Sequence, residues 1–371
     1  MKVLHIQKAA GLAGSERHLL SLLPALVERG VGVRVCVLAA EHGERFSEGL
    51  RTLGIETIVI PAGRHANPFL PVRLLREIRR FGPDIVHTHL IHGDFYGQIA
   101  TRLAGVPGIS SVHGTYPFCR KEPFRSAARL AGHLARRTIA ISHHVRRFIE
   151  ELGLAPSARV RVIYYGIDTN GWQLPEAARH EAREKFGCSD GEFVVGMASR
   201  LVPFKGHDFV LDALAEALPQ SAQIRLLIAG DGPLRGDLES RVRASFANGI
   251  VRFTGYISEV KDFMNACDVI VFPTLPDLSE GFGLAALEAM AAARPVIATR
   301  VGALPELVEH LGAGFLVNPG DVKELAAALT LLARDTALRV RLAEGARKRA
   351  RAHFSLDAAT DRVLTTYAEA R

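Results

Sequence analysis

FVVGMASRLVPFKGHDFVLDALAEALPQSAQIRLLIAGDGP, residues 193–233, contains one complete strand–helix–strand unit. The apolar runs Phe193–Ala198 and Ile224–Ala229 predict two buried strands, and the segment between them predicts a helix. A glycine-containing loop follows each strand. Strands that alternate with helices in this way predict a parallel sheet that helices cover on both faces.

The same alternation extends over the rest of the chain in both directions. The other predicted strands are Val3–Ile6, Val33–Leu38, Thr57–Ile60, Ile85–His87, Gly108–Val112, Thr138–Ile141, Val160–Ile163, Ile250–Phe253, Val269–Phe272, Val296–Ala298 and Gly314–Val317. Helices are predicted in the first half at Glu16–Arg29, Glu44–Leu53, Pro71–Phe81, Phe95–Leu103 and Phe124–Ala135. The fold class is therefore α/β.

The alternation restarts after a turn-rich segment at residues 164–172, which predicts two Rossmann-like, doubly wound domains. We expect an N-terminal domain over residues 1–170 and a C-terminal domain over residues 171–352. A C-terminal helix over residues 353–371 is expected to pack back on the first domain. In such sheets ligands bind beyond the carboxyl ends of the strands, so the two domains are expected to face a central cleft.

Length and composition exclude several classes of protein. The chain has 371 residues, 48% of them hydrophobic, which suits two packed domains and not a disordered chain. It has neither a signal-peptide pattern nor an apolar run of the roughly 18 residues that span a bilayer. Its four cysteines are widely spaced, which indicates a reducing compartment. We therefore expect a cytoplasmic protein that can also bind peripherally to the inner face of the cytoplasmic membrane.

The positive charge lies in the first half of the chain. Residues 1–175 contain 23 Lys and Arg against 13 Asp and Glu, whereas residues 176–371 contain 23 against 26. The excess is concentrated between residues 120 and 149, where Glu122 is the one acid. Such a patch suits an anionic membrane, a phosphorylated substrate or nucleic acid, and a plain solvated helix surface would carry it equally well.

Three loops of the second domain suit an anionic ligand. Arg200 and Lys205 follow the first strand, where a guanidinium fork and an ammonium would suit a diphosphate. A tight turn at Gly230 follows the second strand. In the segment Ser279–Met290, SEGFGLAALEAM, glycines precede a helix whose first amides could hold phosphate oxygens. Glu288 falls among apolar residues of that helix, where a ribose would satisfy a buried carboxylate better than solvent would.

The first domain gives weaker signals. The loop Ala10–Glu16 leads into a helix without the spacing of a dinucleotide site, and a helix capped by Ser15 would look the same. His87, His89 and His92 suggest a metal at first sight, but no acid or cysteine pattern completes a ligand set. We therefore expect no metal there. His113 ends a strand at the cleft side and is the better candidate for a substrate contact.

These motifs together resemble those of retaining GT-B glycosyltransferases of family 4, over nearly the whole chain. The resemblance rests on Gly14-Ser15-Glu16, His113-Gly114, Ser142, Gly166-Ile167-Asp168, Arg200…Lys205-Gly206, Ala229–Pro233 and Glu280-Gly281-Phe282-Gly283…Glu288. Two positions differ from the common family pattern, since Tyr165 precedes Gly166 and Gly114 follows His113. They leave donor and acceptor details open.

The resemblance implies a role for each matching residue. The catalytic group it implies is Glu280, Lys205, Arg200 and His113, with Glu280 on the hydroxyls of the donor sugar and the two cations on the diphosphate. Nucleotide-sugar binding is implied for Gly14, Gly281, Phe282, Gly283, Glu288, Ile257 and Gly230. Acceptor binding is assigned to the N-terminal loops at Ser15, Glu16, Arg120 and Ser142. No cofactor and no metal are expected, because the two cations replace a metal ion.

The expected reaction moves a hexose from a UDP- or GDP-sugar to a hydroxyl with retention, in the synthesis of cell-envelope glycan, lipopolysaccharide or glycolipid. The expected acceptor is a glycan, lipid-linked or otherwise anionic. Two alternatives are a nucleotide-sugar epimerase of the same fold and a non-catalytic sugar-nucleotide-binding subunit. A nucleic-acid-binding protein is a third, but aromatic residues make up only 7% of the chain and no recognition motif appears.

Overall fold

The computed structural model describes residues 1–9, 11–39, 44–62, 67–172, 175–220, 223–276 and 280–371. Ala10 and Ser279, which belong to two of the predicted loops, lie outside the described residues. The strands are β1 Lys2–Ala9, β2 Gly32–Ala39, β3 Glu56–Pro61, β4 Ile85–His89, β5 Gly108–Val112, β6 Arg137–Ala140, β7 Val160–Val162, β8 Phe193–Ala198, β9 Ile224–Ala229, β10 Val251–Gly255, β11 Val269–Phe272, β12 Val296–Thr299 and β13 Gly314–Val317.

The helices alternate with these strands, and short 3₁₀ turns lie between some of them. They are α1 Gly14–Glu28, α2 Glu44–Thr52, α3 Leu70–Phe81, α4 Leu90–Ala104, α5 Phe124–Leu134, α6 His143–Glu151, α7 Glu176–Lys185, α8 His207–Ala217, α9 Arg235–Ser245, α10 Val260–Ala266, α11 Leu284–Ala291, α12 Leu304–Leu307, α13 Val322–Arg334, α14 Thr336–His353 and α15 Leu356–Ala370. None of the described helices is long and apolar enough to cross a bilayer.

The chain divides into two compact units. Unit 1 comprises Met1–Gly166 together with Leu356–Arg371, and unit 2 comprises Ile167–Ser355. The boundary therefore falls four residues before the expected position 170, because the Ile167 amide donates to Phe354 O (2.9 Å) and joins unit 2. The C-terminal helix begins at Leu356 and not at residue 353, since His353 still belongs to α14.

Unit 1 contains a seven-stranded parallel sheet in the order β3-β2-β1-β4-β5-β6-β7. Apolar side chains of α1 and α15 pack on one face, and those of α3 and α4 pack on the other. This two-sided burial explains why the strands are continuous apolar runs. The order reverses between β1 and β4, so the loops after these strands lie at the topological switch point of this sheet.

Unit 2 contains a six-stranded parallel sheet in the order β10-β9-β8-β11-β12-β13. Residues of α8, α13 and α14 pack on the core of this sheet. The switch point lies between β8 and β11. From β8 the chain adds β9 and β10 on one side of this strand, and it then returns to add β11 on the other side. The loop with Arg200 and Lys205 follows β8, and the loop with Glu280 follows β11. The topology thus brings these two loops to one position in unit 2.

Candidate active site

Backbone contacts hold the loops after β8 and β11 against each other in unit 2. The Leu275 amide donates to Phe204 O at 2.7 Å. Gly206 has φ +75°, and a Cβ at this position would lie 2.1 Å from Pro273 O. Only glycine allows so close an approach in the left-handed region. The two loops therefore have a fixed relative position.

Lys205 and Glu280 form an ion pair across these two loops. Lys205 Nζ lies 2.5 Å from Glu280 Oε2, and the two side chains are 21% and 24% exposed. Both groups can therefore be reached by solvent and by a ligand. An ammonium beside a carboxylate can bind an anionic group and a hydroxyl-bearing group at adjacent points.

The loop after β12 packs against the backbone of Glu280. The Ala303 amide donates to Glu280 O at 2.9 Å. Gly302 has φ +61°, and a Cβ there would lie 2.3 Å from Glu280 O. Because two backbone segments are packed so closely, the position of Glu280 is set by Gly302. No signal in the sequence analysis identified this glycine, whose partner is distant along the chain.

Arg200 and Gly230 occupy the neighbouring loops of unit 2. Arg200 is exposed, and its guanidinium makes no hydrogen bond or ion pair with another described residue. The Leu201 amide next to it donates to Asp231 O (3.0 Å), and the Gly230 amide donates to Gly255 O (2.8 Å). These bonds join the loops after β8, β9 and β10. Ile257 lies half-buried beyond the end of β10.

The start of α11 carries the other predicted donor-binding residues. Gly283 is the residue before the helix, with φ +95°, and Gly281 and Phe282 precede it. The Phe282 ring is buried and meets Phe354 edge to face, with 6.0 Å between centroids. Glu288 is only 8% exposed, so it is not a solvated mid-helix glutamate.

Three of the predicted acceptor residues of unit 1, Ser15, Glu16 and Ser142, make structural contacts at helix starts. Glu16 Oε2 accepts the Ala13 amide (3.1 Å) and the Ser15 hydroxyl (2.9 Å), so α1 begins at Gly14 with Glu16, not Ser15, as its capping side chain. Ser142 Oγ accepts the Val145 amide (3.1 Å) and caps α6. Arg120 is exposed, and its Nη2 lies 3.5 Å from Glu151 Oε2.

Unit 1 holds a buried cluster of histidines around His113. His5, His87 and His89 have ring nitrogens within 4.8 Å of one another. His113 is half-buried; its Nε2 is 2.9 Å from His89 Nδ1, and its Nδ1 is 2.6 Å from Tyr165 Oη. The third ring of the cluster is therefore His5 of β1, whereas His92 is exposed on α4.

Burial keeps these rings uncharged. Desolvation lowers the pKa of His5 and of His113 to about 3, and it lowers the pKa of His87 and of His89 well below 6.5. His18 of α1 stacks on Tyr165 at 4.0 Å, and burial lowers its pKa to about 3 as well. Near pH 7 the cluster is a set of neutral imidazoles, each with one N–H donor and one acceptor nitrogen.

Two family models match the chain, one in each unit. The model described as Glycosyltransferase Family 4 matches residues 12–170, and the model described as Glycosyl transferases group 1 matches residues 192–335. The two matches contain the loops of unit 1 and most of the loops of unit 2 that have been described.

Relatives of known or assigned function are similar over most of their length. The D-inositol 3-phosphate glycosyltransferase of Nocardioides sp. is 30% identical over 315 residues, which are 78% of this chain and 68% of the relative. An Escherichia coli relative, UDP-Gal:alpha-D-GlcNAc-diphosphoundecaprenol alpha-1,3-galactosyltransferase, is 25% identical over 384 residues, which are 99% of this chain and 96% of the relative.

A solved structure, Anabaena HepE in complex with UDP, has a TM-score of 0.87 to this chain at 25% identity, and the similarity covers 100% of both chains. The same protein has also been solved with UDP-glucose. The expected pair of parallel-sheet α/β domains is thereby confirmed as the GT-B type. With its two matching family models and its relatives, the chain belongs to glycosyltransferase family 4, group 1, and is a glycosyltransferase.

Proposed function

We propose that this glycosyltransferase transfers a hexose from a UDP- or GDP-sugar to a hydroxyl acceptor with retention of configuration. The observation that carries the proposal is the Lys205–Glu280 pair at the switch point of unit 2. HepE, which is similar over its whole length, binds UDP and UDP-glucose, and this supports a nucleotide-sugar donor here.

In the proposed reaction, unit 2 holds the donor. Cleavage of the sugar–phosphate bond leaves negative charge on the diphosphate and positive character on the sugar. Lys205 and the exposed Arg200 stabilise the leaving diphosphate, and their effect is greatest in the transition state, where this charge develops. Glu280 binds hydroxyls of the sugar. Glu288, buried in α11, is the residue proposed to bind the ribose.

Retention and metal independence belong to the same proposal. The acceptor hydroxyl approaches from the face that the diphosphate leaves, without a covalent sugar–enzyme intermediate. The name of the Escherichia coli relative specifies an α-linked product, which supports an α-glycoside here. Two protein cations supply the charge that a metal ion would otherwise supply, so activity should persist in a chelator.

A screen of nucleotide sugars tests the donor assignment. A donor at 100 times its Kd should stabilise the protein by about 2.7 kcal/mol. The stabilising donor is then incubated with candidate acceptors, and the anomeric configuration of the product is read by NMR. An inverted product would refute retention. Formation of an epimer without acceptor would favour the epimerase, and binding without turnover on any acceptor would favour the non-catalytic subunit.

The acceptor is proposed to be lipid-linked or otherwise anionic and to meet unit 1 near α5. Phe118 and Phe124, 39% and 47% exposed, pack edge to face at 5.4 Å, and Lys121 and Arg129, close to them in the sequence, are also exposed. Exposed aromatic rings among cations suit the interface of an anionic membrane. The Escherichia coli relative, by its name, acts on a diphosphoundecaprenol-linked sugar.

Vesicle binding tests the membrane contact. The protein should bind anionic vesicles more strongly than neutral ones at low salt, and Phe124→Ser should weaken this binding. Phe69→Ser is the matched control, since Phe69 is also exposed but lies before α3. Equal binding to both vesicle types would refute the contact.

A further inference from the structure

The buried side chains around His113 form one continuous series of hydrogen bonds, here called the histidine chain. Its members are, in order, Tyr165, His113, His89, His5, Tyr367, His87 and Ser111. The successive distances are Tyr165 Oη–His113 Nδ1 2.6 Å, His113 Nε2–His89 Nδ1 2.9 Å, His89 Nε2–His5 Nδ1 2.9 Å, His5 Nε2–Tyr367 Oη 3.4 Å, Tyr367 Oη–His87 Nδ1 2.8 Å and His87 Nε2–Ser111 Oγ 2.8 Å.

The sheet register explains why these residues meet. His5 of β1 is aligned with His87 of β4, and His89 of β4 is aligned with Ser111 of β5. Alternate residues of a strand point to the same face, so His87 and His89 both face the side that α15 covers. Tyr367 of α15 is fully buried against this face, and its hydroxyl lies between the rings of His5 and His87. The polar residues therefore form one row inside an otherwise apolar layer.

The hydrogen bonds of the histidine chain restrict which ring nitrogens can carry protons. Each of its four rings is neutral, because burial lowers all four pKa values, and a neutral imidazole has one N–H and one lone pair. Every ring uses both nitrogens within the chain. A ring that donates at one nitrogen must therefore accept at the other. The buried Tyr367 hydroxyl, whose hydrogen-bond partners among the described residues are His5 and His87, must donate to one of these rings and so accepts from the other. All six hydrogen bonds therefore run in the same direction.

Only two arrangements satisfy this condition. If Tyr165 donates to His113, each of the four histidines carries its proton on Nε2, and His87 donates to Ser111. If Ser111 donates to His87, each of the four carries its proton on Nδ1, and His113 donates to Tyr165. In both cases the four rings have the same tautomer.

We propose that the histidine chain positions His113, because its four imidazoles share one tautomer and core residues thus determine which nitrogen of His113 carries the proton. His89, His5 and Tyr367 are positioning residues in this sense. A hydroxyl that replaced Tyr165 at His113 Nδ1 would meet a lone pair in one arrangement and an N–H in the other. The relevance to a donor sugar rests on the proposed function, whereas the shared tautomer does not.

The experiment uses the full-length protein with ¹⁵N-labelled histidine. Long-range ¹H–¹⁵N correlation spectra distinguish the protonated from the unprotonated ring nitrogen of each histidine. We expect His5, His87, His89 and His113 to show the same tautomer. Different tautomers among the four, or a charged ring at pH 7, would overturn the proposal without the need for any variant.

Tyr367→Phe removes the link between His5 and His87. We expect the ring-nitrogen resonances of His113 to shift, although His113 does not contact Tyr367 through a direct hydrogen bond. Tyr96→Phe is the matched control, since the Tyr96 hydroxyl accepts the Asn67 amide (3.1 Å) outside the chain. Unchanged His113 resonances in folded Tyr367→Phe would overturn the coupling.

A metal ion is the competing explanation, because three of these rings lie close enough to share one. The spectra are therefore recorded after dialysis against a chelator and again with added Zn²⁺. Loss of the ring protons of His5, His87 and His89 with Zn²⁺ would overturn the proposal in favour of a metal site.

Shared tautomers in a protein that transfers no sugar would refute the proposed function and leave the histidine chain intact.

Discussion

Lys205 Nζ lies 2.5 Å from Glu280 Oε2, although 75 residues separate the two in the chain. The contact joins the loops after β8 and β11 at the switch point of unit 2. A ligand that binds there meets both groups, and we expect its anionic group to bind the ammonium and its hydroxyls to bind the carboxylate.

The first prediction concerns the two partners as catalytic residues. Lys205→Ala and Glu280→Ala should each lower kcat at least about tenfold, because each removes a contact that is strongest in the transition state. Steady-state kinetics with the identified donor measure this effect. Lys185→Ala is the control, since Lys185 pairs with Asp262 (2.6 Å) elsewhere in unit 2 and should leave kcat unchanged. Near-normal turnover in both site variants would refute the assignment.

A second prediction separates binding of the diphosphate from turnover. Glu280→Gln keeps the size of the side chain and removes a negative charge that lies beside the proposed diphosphate site. UDP or GDP alone should therefore bind as tightly as to the wild type or a few-fold more tightly, whereas turnover should fall about tenfold. Calorimetric titration and initial rates measure the two quantities. Weaker binding of the free nucleotide would place Glu280 among its ligands instead.

Gly302 offers a third prediction, on the support of Glu280. Gly302→Ala should destabilise unit 2 by about 1–3 kcal/mol, because alanine is strained at φ +61° and its Cβ would lie 2.3 Å from Glu280 O. Activity should fall as well, since Glu280 must move. Urea denaturation and kinetics measure both effects. Gly236→Ala, in α9 with open space around it, should be neutral or slightly stabilising.

The sequence predicted much of this architecture because its signals were local. Every described strand contains or overlaps a predicted apolar run, and the predicted site residues of unit 2, apart from Glu288 in α11, fell on loops that directly follow strands. The contact of Lys205 with Glu280 was beyond sequence reasoning, since it depends on the order of the strands. The same holds for His5 and Tyr367: each is an ordinary core position by periodicity, and only the sheet register and the packing of α15 bring them to His113.

A fourth prediction concerns Asp268, which holds together several segments of unit 2. Its carboxylate accepts Arg179 (2.7 Å), Arg183 (2.9 Å) and the Val194 amide (2.8 Å). Asp268→Asn should destabilise the protein by about 3–5 kcal/mol, because it leaves the buried Arg183 guanidinium without its counter-charge. Asp262→Asn breaks an exposed pair and should cost about 0–1 kcal/mol. Equal losses of stability in chemical denaturation would contradict this difference.

The last prediction is a pH dependence that originates from Asp94 of α4. Its carboxyl is buried and accepts the Thr88 hydroxyl (2.5 Å). Burial raises its pKa to about 7, and the hydrogen bonds from Thr88 and Ser110 lower it only in part. An acid whose folded pKa is raised binds a proton in the native state that the unfolded chain has released. Its contribution to stability is therefore lost as the pH rises from about 4 to about 7.

Asp94→Asn removes this titration and keeps a neutral side chain. The free energy of unfolding of the wild type minus that of the variant should fall by about 1.4 kcal/mol for each pH unit between pH 5 and pH 6. The buried histidines have the opposite sign, since their folded pKa values are lowered and stability falls as the pH drops below 6.5, but they contribute equally to both proteins and cancel. Asp84→Asn is the control, because the Lys2 amide lowers the pKa of Asp84 and its contribution is constant above pH 5. A flat difference for Asp94→Asn in urea titrations would show that this carboxyl is ionised in the native state.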